Sequence, residues 1–126
     1  MELNDFFRSV LKQDSAPIVL CDLEHTIVYI NPAAAKRYGQ GYALGADMVG
    51  KNLMDCHNAK SRELIEKCLA WFAADEGHNI VHESFNPTEN KDVYIVALRD
   101  EEKKLIGYYE KHEYRTRDTL EFYDFT

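Results

Sequence analysis

The spacing of apolar residues changes character twice along this chain. Residues 17–30 hold two short apolar runs, Pro17-Ile18-Val19-Leu20-Cys21 and Thr26-Ile27-Val28-Tyr29-Ile30, separated only by Asp22-Leu23-Glu24-His25. Helical spacing follows through the middle of the chain, and strand-like runs return from His78 to Tyr114. Strands joined by so few residues pair as a hairpin. Two strands before the helices and three after them predict an α+β domain: one five-stranded antiparallel sheet with helices on one face.

The local signals agree with that order. Leu3, Phe6, Phe7, Val10 and Leu11 fall on one helical stripe, which ends before Pro17 because the residue preceding a proline is pushed out of the helical region. Asn31-Pro32 opens a short helix, with Asn as N-cap and Pro at the first helical position. Ala33 to Tyr38 continue it, and Gly39 suits its left-handed stop. Residues 40–60 are glycine-punctuated and predict short helical turns, with Met48, Val49, Leu53 and Met54 as their apolar contacts. The longest helix is expected from Ser61, as its N-cap, through Leu64, Ile65, Cys68, Leu69 and Phe72, stopping at Asp75-Glu76-Gly77. Three strands follow, His78–Phe85, Asp92–Arg99 and Leu105–Tyr114, with links short enough for an antiparallel meander. The tail ends in aromatics, Phe122, Tyr123 and Phe125, that are expected to dock on the domain.

Composition narrows the function class. The 126 residues suffice for one domain with one core. Fifteen Lys and Arg against twenty-two Asp and Glu leave a net charge of −7, without the basic footprint of a nucleic-acid or membrane-surface binder. No apolar run reaches membrane-spanning length, and the acidic N-terminus has no signal-peptide character. Three cysteines with no CxxC pair read as free thiols in a reducing cytoplasm.

The words Ile18-Val19-Leu20-Cys21-Asp22-Leu23-Glu24-His25-Thr26-Ile27-Val28-Tyr29-Ile30-Asn31-Pro32-Ala33-Ala34, with Met48-Val49-Gly50-Lys51-Asn52-Leu53 and Leu105-Ile106-Gly107 at their places, resemble a PAS domain over roughly residues 14–114. Cys56-His57-Asn58-Ala59-Lys60-Ser61 is similar to a segment that a subgroup of PAS domains carries before the long helix. The resemblance implies strand order 2-1-5-4-3, an N-terminal element over residues 1–13 serving as cap or dimer contact, and a tail over 115–126. It also implies a cavity between sheet and helices, for which Tyr38, Met54, His57, Leu64, Cys68, Tyr94 and Tyr108 are the candidate wall. The expected function is a cytoplasmic sensory module, homodimeric, binding a small molecule or a signalling protein, with no catalytic residues. Where PAS domains usually run through Asp-Ile-Thr into an output domain, this chain has Tyr114-Arg115-Thr116-Arg117-Asp118. A module without its own output domain, either a stand-alone subunit or part of a longer protein, is the expectation.

Two alternatives stay open on the residues. The first is a haem-binding PAS sensor with His57 as axial ligand; the plain reading of His57 is a helix-entry histidine bonding backbone carbonyls. The second is a small α+β enzyme of isomerase or cyclase type, built on a conical, strongly bent sheet with a His–Asp dyad. Lys60 and Ser61 open the long helix, where an anion or simple capping fits. His78 and His82 share a strand face with Glu83 pointing the other way, and solvated edge residues fit them better than a zinc site. Cys21 and Cys68 read as inert core thiols, and Cys56 as the redox candidate beside His57. On the last strand Ile106, Tyr108, Glu110, His112 and Tyr114 share one face, from which Glu110 and His112 could reach a ligand.

Overall fold

The computed structural model describes residues 3–38, 48–120, 122, 123 and 125, without the side chains of Leu3 and Cys56. The expected Gly39 stop and the Cys56 thiol lie outside what is described. Helix α1 is Leu3–Gln13, strands β1 and β2 are Val19–Asp22 and Ile27–Ile30, and α2 is Pro32–Tyr38. A 3-10 turn at Leu53–Cys56 leads into α3, Ala59–Ala74, followed by β3 (Ile80–Asn86), β4 (Lys91–Arg99) and β5 (Leu105–Tyr114). The strands form one antiparallel sheet in the order β2-β1-β5-β4-β3. The two ends of the chain therefore meet at β1–β5, the order that the resemblance implies. The sheet is open, with β2 and β3 as its edges.

Asn31 ties the N-terminal half together. Its side chain is fully buried. Oδ1 accepts from the backbone of Ile18 and Ala34, both at 2.9 Å, while Nδ2 donates to the carbonyls of Leu11 (3.0 Å) and Ala16 (2.9 Å). One amide thus caps α2, fixes the entry to β1 and holds the end of α1. The backbone amide of Asn31 also donates to Ile18 O, extending the hairpin.

In the hairpin turn, Asp22 Oδ1 accepts from the amides of Glu24 and Thr26, an Asx turn that leaves His25 at φ 67°. His25 is buried. Opposite, Gly107 lets β5 approach β1: a Cβ there would sit 2.1 Å from Cys21 O.

α3 starts two residues before the expected Ser61, because Asn58 is the N-cap and accepts from the amide of Ser61. Its predicted stripe is the buried one, with Ile65, Cys68, Leu69 and Phe72 packed on Cys21, Ile27, Met48, Ile95 and Tyr108. Its C-terminal end is fastened by Arg99 of β4, whose guanidinium donates to Phe72 O (2.7 Å), Asp75 O (3.2 Å) and His78 O (3.1 Å).

Two bulges break the strand alternation. Glu83 is the extra residue between His82, opposite Tyr94, and Ser84, opposite Val93. Ile106 is the extra residue between Leu105 and Gly107, so it leaves the face expected for it and stands exposed while Leu105 packs on the core. The tail departs from expectation as well: Leu120, Phe122, Tyr123 and Phe125 are exposed rather than docked.

Replacing Asn31 by Ala strands at least two buried donors or acceptors and is expected to cost about 2–4 kcal/mol in urea unfolding. Asn31→Asp keeps the acceptor but cannot donate to Leu11 and Ala16. It should release α1, read as early tryptic cleavage at Arg8 and Lys12 with the rest of the fold intact.

Candidate functional site

A cavity of about 410 Å³ lies between the inner face of the sheet and the helices. Pro17, Val19, Ile27, Met48 and Leu53 make its apolar wall. Arg37, Tyr38, His57, Glu89, Tyr108, Glu110 and His112 supply polar groups. Strand pairing explains the set. Tyr108, Glu110 and His112 alternate on β5 and stand opposite Ala97, Ile95 and Val93 on β4, so all three face inward.

Three of the seven candidate wall residues, Tyr38, His57 and Tyr108, meet at this cavity, and so do Glu110 and His112, marked on the last strand as able to reach a ligand. Cys68 belongs to the adjoining core, with Met54 and Leu64 packed against it. Tyr94 lies on the outer face, stacked on His82 at 4.9 Å and accepting from Arg115 through its hydroxyl. His82 also pairs with Asp92 (2.9 Å), whereas His78 stacks on Trp71 at 3.9 Å. The two histidines therefore share no site, and among the described residues no group of three or more His, Cys, Asp or Glu is placed to hold a metal.

His57 is oriented from outside the cavity. Its Nδ1 is 2.9 Å from Leu53 O, so Nδ1–H donates there and Nε2 keeps a lone pair. Tyr108 is held by residues that the sequence did not mark. Its hydroxyl is 2.7 Å from His25 Nδ1, and His25 Nε2 is 2.6 Å from Glu66 Oε1 of α3. A carboxylate only accepts, so Nε2–H donates to Glu66 and Nδ1 accepts from the phenol. Burial raises the Tyr108 phenol, with the Cys21 thiol adding to the shift.

Further charges cluster toward the α2 end of the cavity. Glu89 accepts from Arg37 at 2.9 and 3.3 Å and from Lys91 at 2.6 Å, and these bonds, that to Lys91 first, hold its carboxyl down at about 2. Burial, then Lys91 and Arg37, lower His112 to about 4. Burial and the neighbouring Glu110, to which it hydrogen-bonds, push Glu83 up to about 8. Strand alternation puts Glu83 on the face opposite to His82, and the bulge leaves it without a partner on β4. Arg37 and Glu89, far apart in sequence, gave no signal for their pairing.

The sequence profile of the PAS domain matches residues 15–110. The chain belongs to the PAS family. Its members are sensory modules of kinases and receptors, and the sheet order and helix placement found here are those of that fold. Solved structures agree on the fold. A C-terminal domain from Streptococcus mutans is 18% identical and superposes with a TM-score of 0.65, covering 88% of this chain and 84% of its own. The PAS domain of Bordetella pertussis BvgS is 22% identical, with a TM-score of 0.61 and coverage of 90% and 87%. A sensory box sensor histidine kinase from Vibrio cholerae is 12% identical, with a TM-score of 0.60 and coverage of 90% and 93%. A search of curated protein sequences gives no match.

The shifted carboxyl has a measurable sign. Glu83 keeps its proton to about pH 8 in the fold but only to about 4.3 when unfolded. The folded chain therefore binds the extra proton between those values, and stability falls as pH rises through them. His112 has the opposite sign, losing stability as pH drops from its ordinary range toward about 4. Above pH 7 only the Glu83 effect remains of the two. The urea midpoint should descend from pH 7 to pH 9, and Glu83→Gln should flatten that descent. A wild-type midpoint that is level over this range would show that Glu83 and Glu110 share no proton.

Proposed function

We propose that this PAS protein is a ligand-responsive sensory module without catalysis of its own: a small molecule held between sheet and helices biases their packing, and α1 passes the bias to a second copy of the chain. The cavity carries the first half of this reading. Its mixed wall, apolar on the hairpin side and hydrogen-bonding on β5, is the composition of a small-molecule site. The response follows from linkage: an occupant shifts the packing by its differential affinity for the two states and by nothing else.

The exposed stripe of α1 supports the second half. Phe6, Phe7 and Val10 are 55%, 59% and 68% exposed, while Leu11 alone of the stripe's described side chains is partly covered. An amphipathic helix that leaves its apolar face open on its own domain fits a partner surface. Among the described residues no helix is long and apolar enough to cross a membrane. A cytoplasmic setting and a protein or small-molecule partner, rather than nucleic acid, accord with the net charge of −7.

A haem-sensing role is the second reading, favoured by one observation. The carbonyl of Leu53 fixes the His57 tautomer with Nε2 open, as the outer partner of a metal-bound imidazole does. The rest of the wall fits porphyrin poorly, because Glu89 and Glu110 bring carboxylates to the lining.

Native mass spectrometry of freshly purified protein should show a dimer carrying a small organic mass. A bare protein whose melting temperature no small molecule moves overturns the sensory reading. A Soret band that is lost in His57→Ala replaces it with the haem reading. The double variant Phe7→Glu, Val10→Glu should elute as a monomer with unchanged circular dichroism, and a wild-type monomer at the highest soluble concentration removes the dimer.

A further inference from the structure

The charges around the cavity are sorted by sign. Glu89 serves two cations, Arg37 and Lys91, which leaves one positive charge in surplus. The Lys91 side chain is only 3% exposed, and its other neighbour is the ring of Tyr114 at 5.3 Å. Water reaches Arg37 and Glu89 but hardly Lys91, so the surplus is least screened at Lys91. Four residues before Tyr114 on the same face of β5, Glu110 has no cation bonded to it among the described residues. Its polar neighbour is the carboxyl of Glu83, and two carboxyls with one proton between them carry one negative charge. The Cys68 thiol on α3 and the phenols of Tyr38 and Tyr108 are the other titratable groups facing this pair.

Among the described residues, His112 Nδ1, beside Lys91 and Arg37, is a buried polar atom without a partner, whereas Glu83 Oε2 lies beside the carboxyl of Glu110. Buried polar atoms are ordinarily satisfied, so His112 Nδ1 points to a group that the protein does not supply, as does Glu110, a cavity carboxyl with no cation of its own. An occupant charged at one end only would answer one place and leave the other uncompensated. Inward neighbours on a strand stand about 7 Å apart. Two hydrogen bonds and the short link between the ammonium and carboxylate of an amino acid span that distance.

We infer that the cavity takes a zwitterion, an α-amino acid with an apolar side chain. Its ammonium donates to Glu110, with Glu83 behind it. Its carboxylate accepts from Arg37 and from Nδ1–H of His112. Its side chain lies on Val19, Ile27 and Leu53. The inference rests on the ligand-binding reading above and gives that ligand a chemical class.

Calorimetric titration of the full chain tests it, with L-leucine against its two one-charge relatives, 3-methylbutylamine and 4-methylpentanoate. Leucine should bind at least tenfold tighter than either. Glu110→Gln and Arg37→Gln should each weaken leucine at least tenfold while circular dichroism stays unchanged. Glu110→Gln preserves shape and guards against a folding artefact in the Arg37 variant, which also loses its bond to Glu89. Amine or acid binding as tightly as leucine overturns the zwitterion, and so does the absence of binding by leucine, methionine and phenylalanine alike. In either case a retained organic mass in native mass spectrometry leaves the sensory reading standing, whereas a bare and ligand-indifferent protein removes both.

Discussion

A single side-chain amide joins elements that would otherwise have little reason to stay together. β1 and β2 have four residues each, and isolated hairpins of that size are marginal in water. α2 has seven residues, too few to persist alone. Asn31 bonds to the backbone on both sides of this hairpin, to the start of α2 and to the end of α1. Only a group that donates and accepts at once can do so, which is why neither Asp nor Leu of similar size would serve. With the hairpin fixed, β1 can lie against β5, where Gly107 permits the close approach. Every inward residue of β5 then has its place.

The inner face of the sheet is divided by what covers it. Where α3 packs, the face is apolar: Ile95, Ala97 and Val81 meet Ile65, Cys68 and Phe72. Toward the other end of β5, Glu110, His112 and the neighbouring Lys91 and Glu83 replace hydrocarbon. Burying such groups costs several kcal/mol each unless they pair, and most of them do, through Glu89 and the Glu83–Glu110 contact. Stability alone gives no reason for a face this polar, since apolar residues of equal volume would pack at lower cost.

Much of the architecture was legible in the chain because periodicity reports burial directly. The stripe of α3, the alternation of β5 from Tyr108 to His112 and the Asn31-Pro32 corner each rest on local signals, and each is found. Boundaries moved by a residue or two where a second capping residue competed, as Asn58 did with Ser61. The site was only half legible. Tyr38, His57 and Tyr108 were marked, whereas Arg37 and Glu89 meet across 52 residues of sequence. His25 looked like a turn residue until the Asx turn gave it a positive φ and aimed it inward. Alternation set Glu83 on the face opposite His82, but its meeting with Glu110 two strands away had no local signal. Tyr94 shows the reverse error: an aromatic on a central strand invites a cavity role, yet its register opposite Lys111 puts it outside.

The phenol of Tyr108 is linked through one imidazole to Glu66, whose side chain is 61% exposed on the solvent side of α3. Both links are short, so a tilt of the ring by a fraction of an ångström lengthens one or both. The far surface of the longest helix is therefore mechanically tethered to the interior wall, and movement inside the hollow is felt where another molecule can touch it.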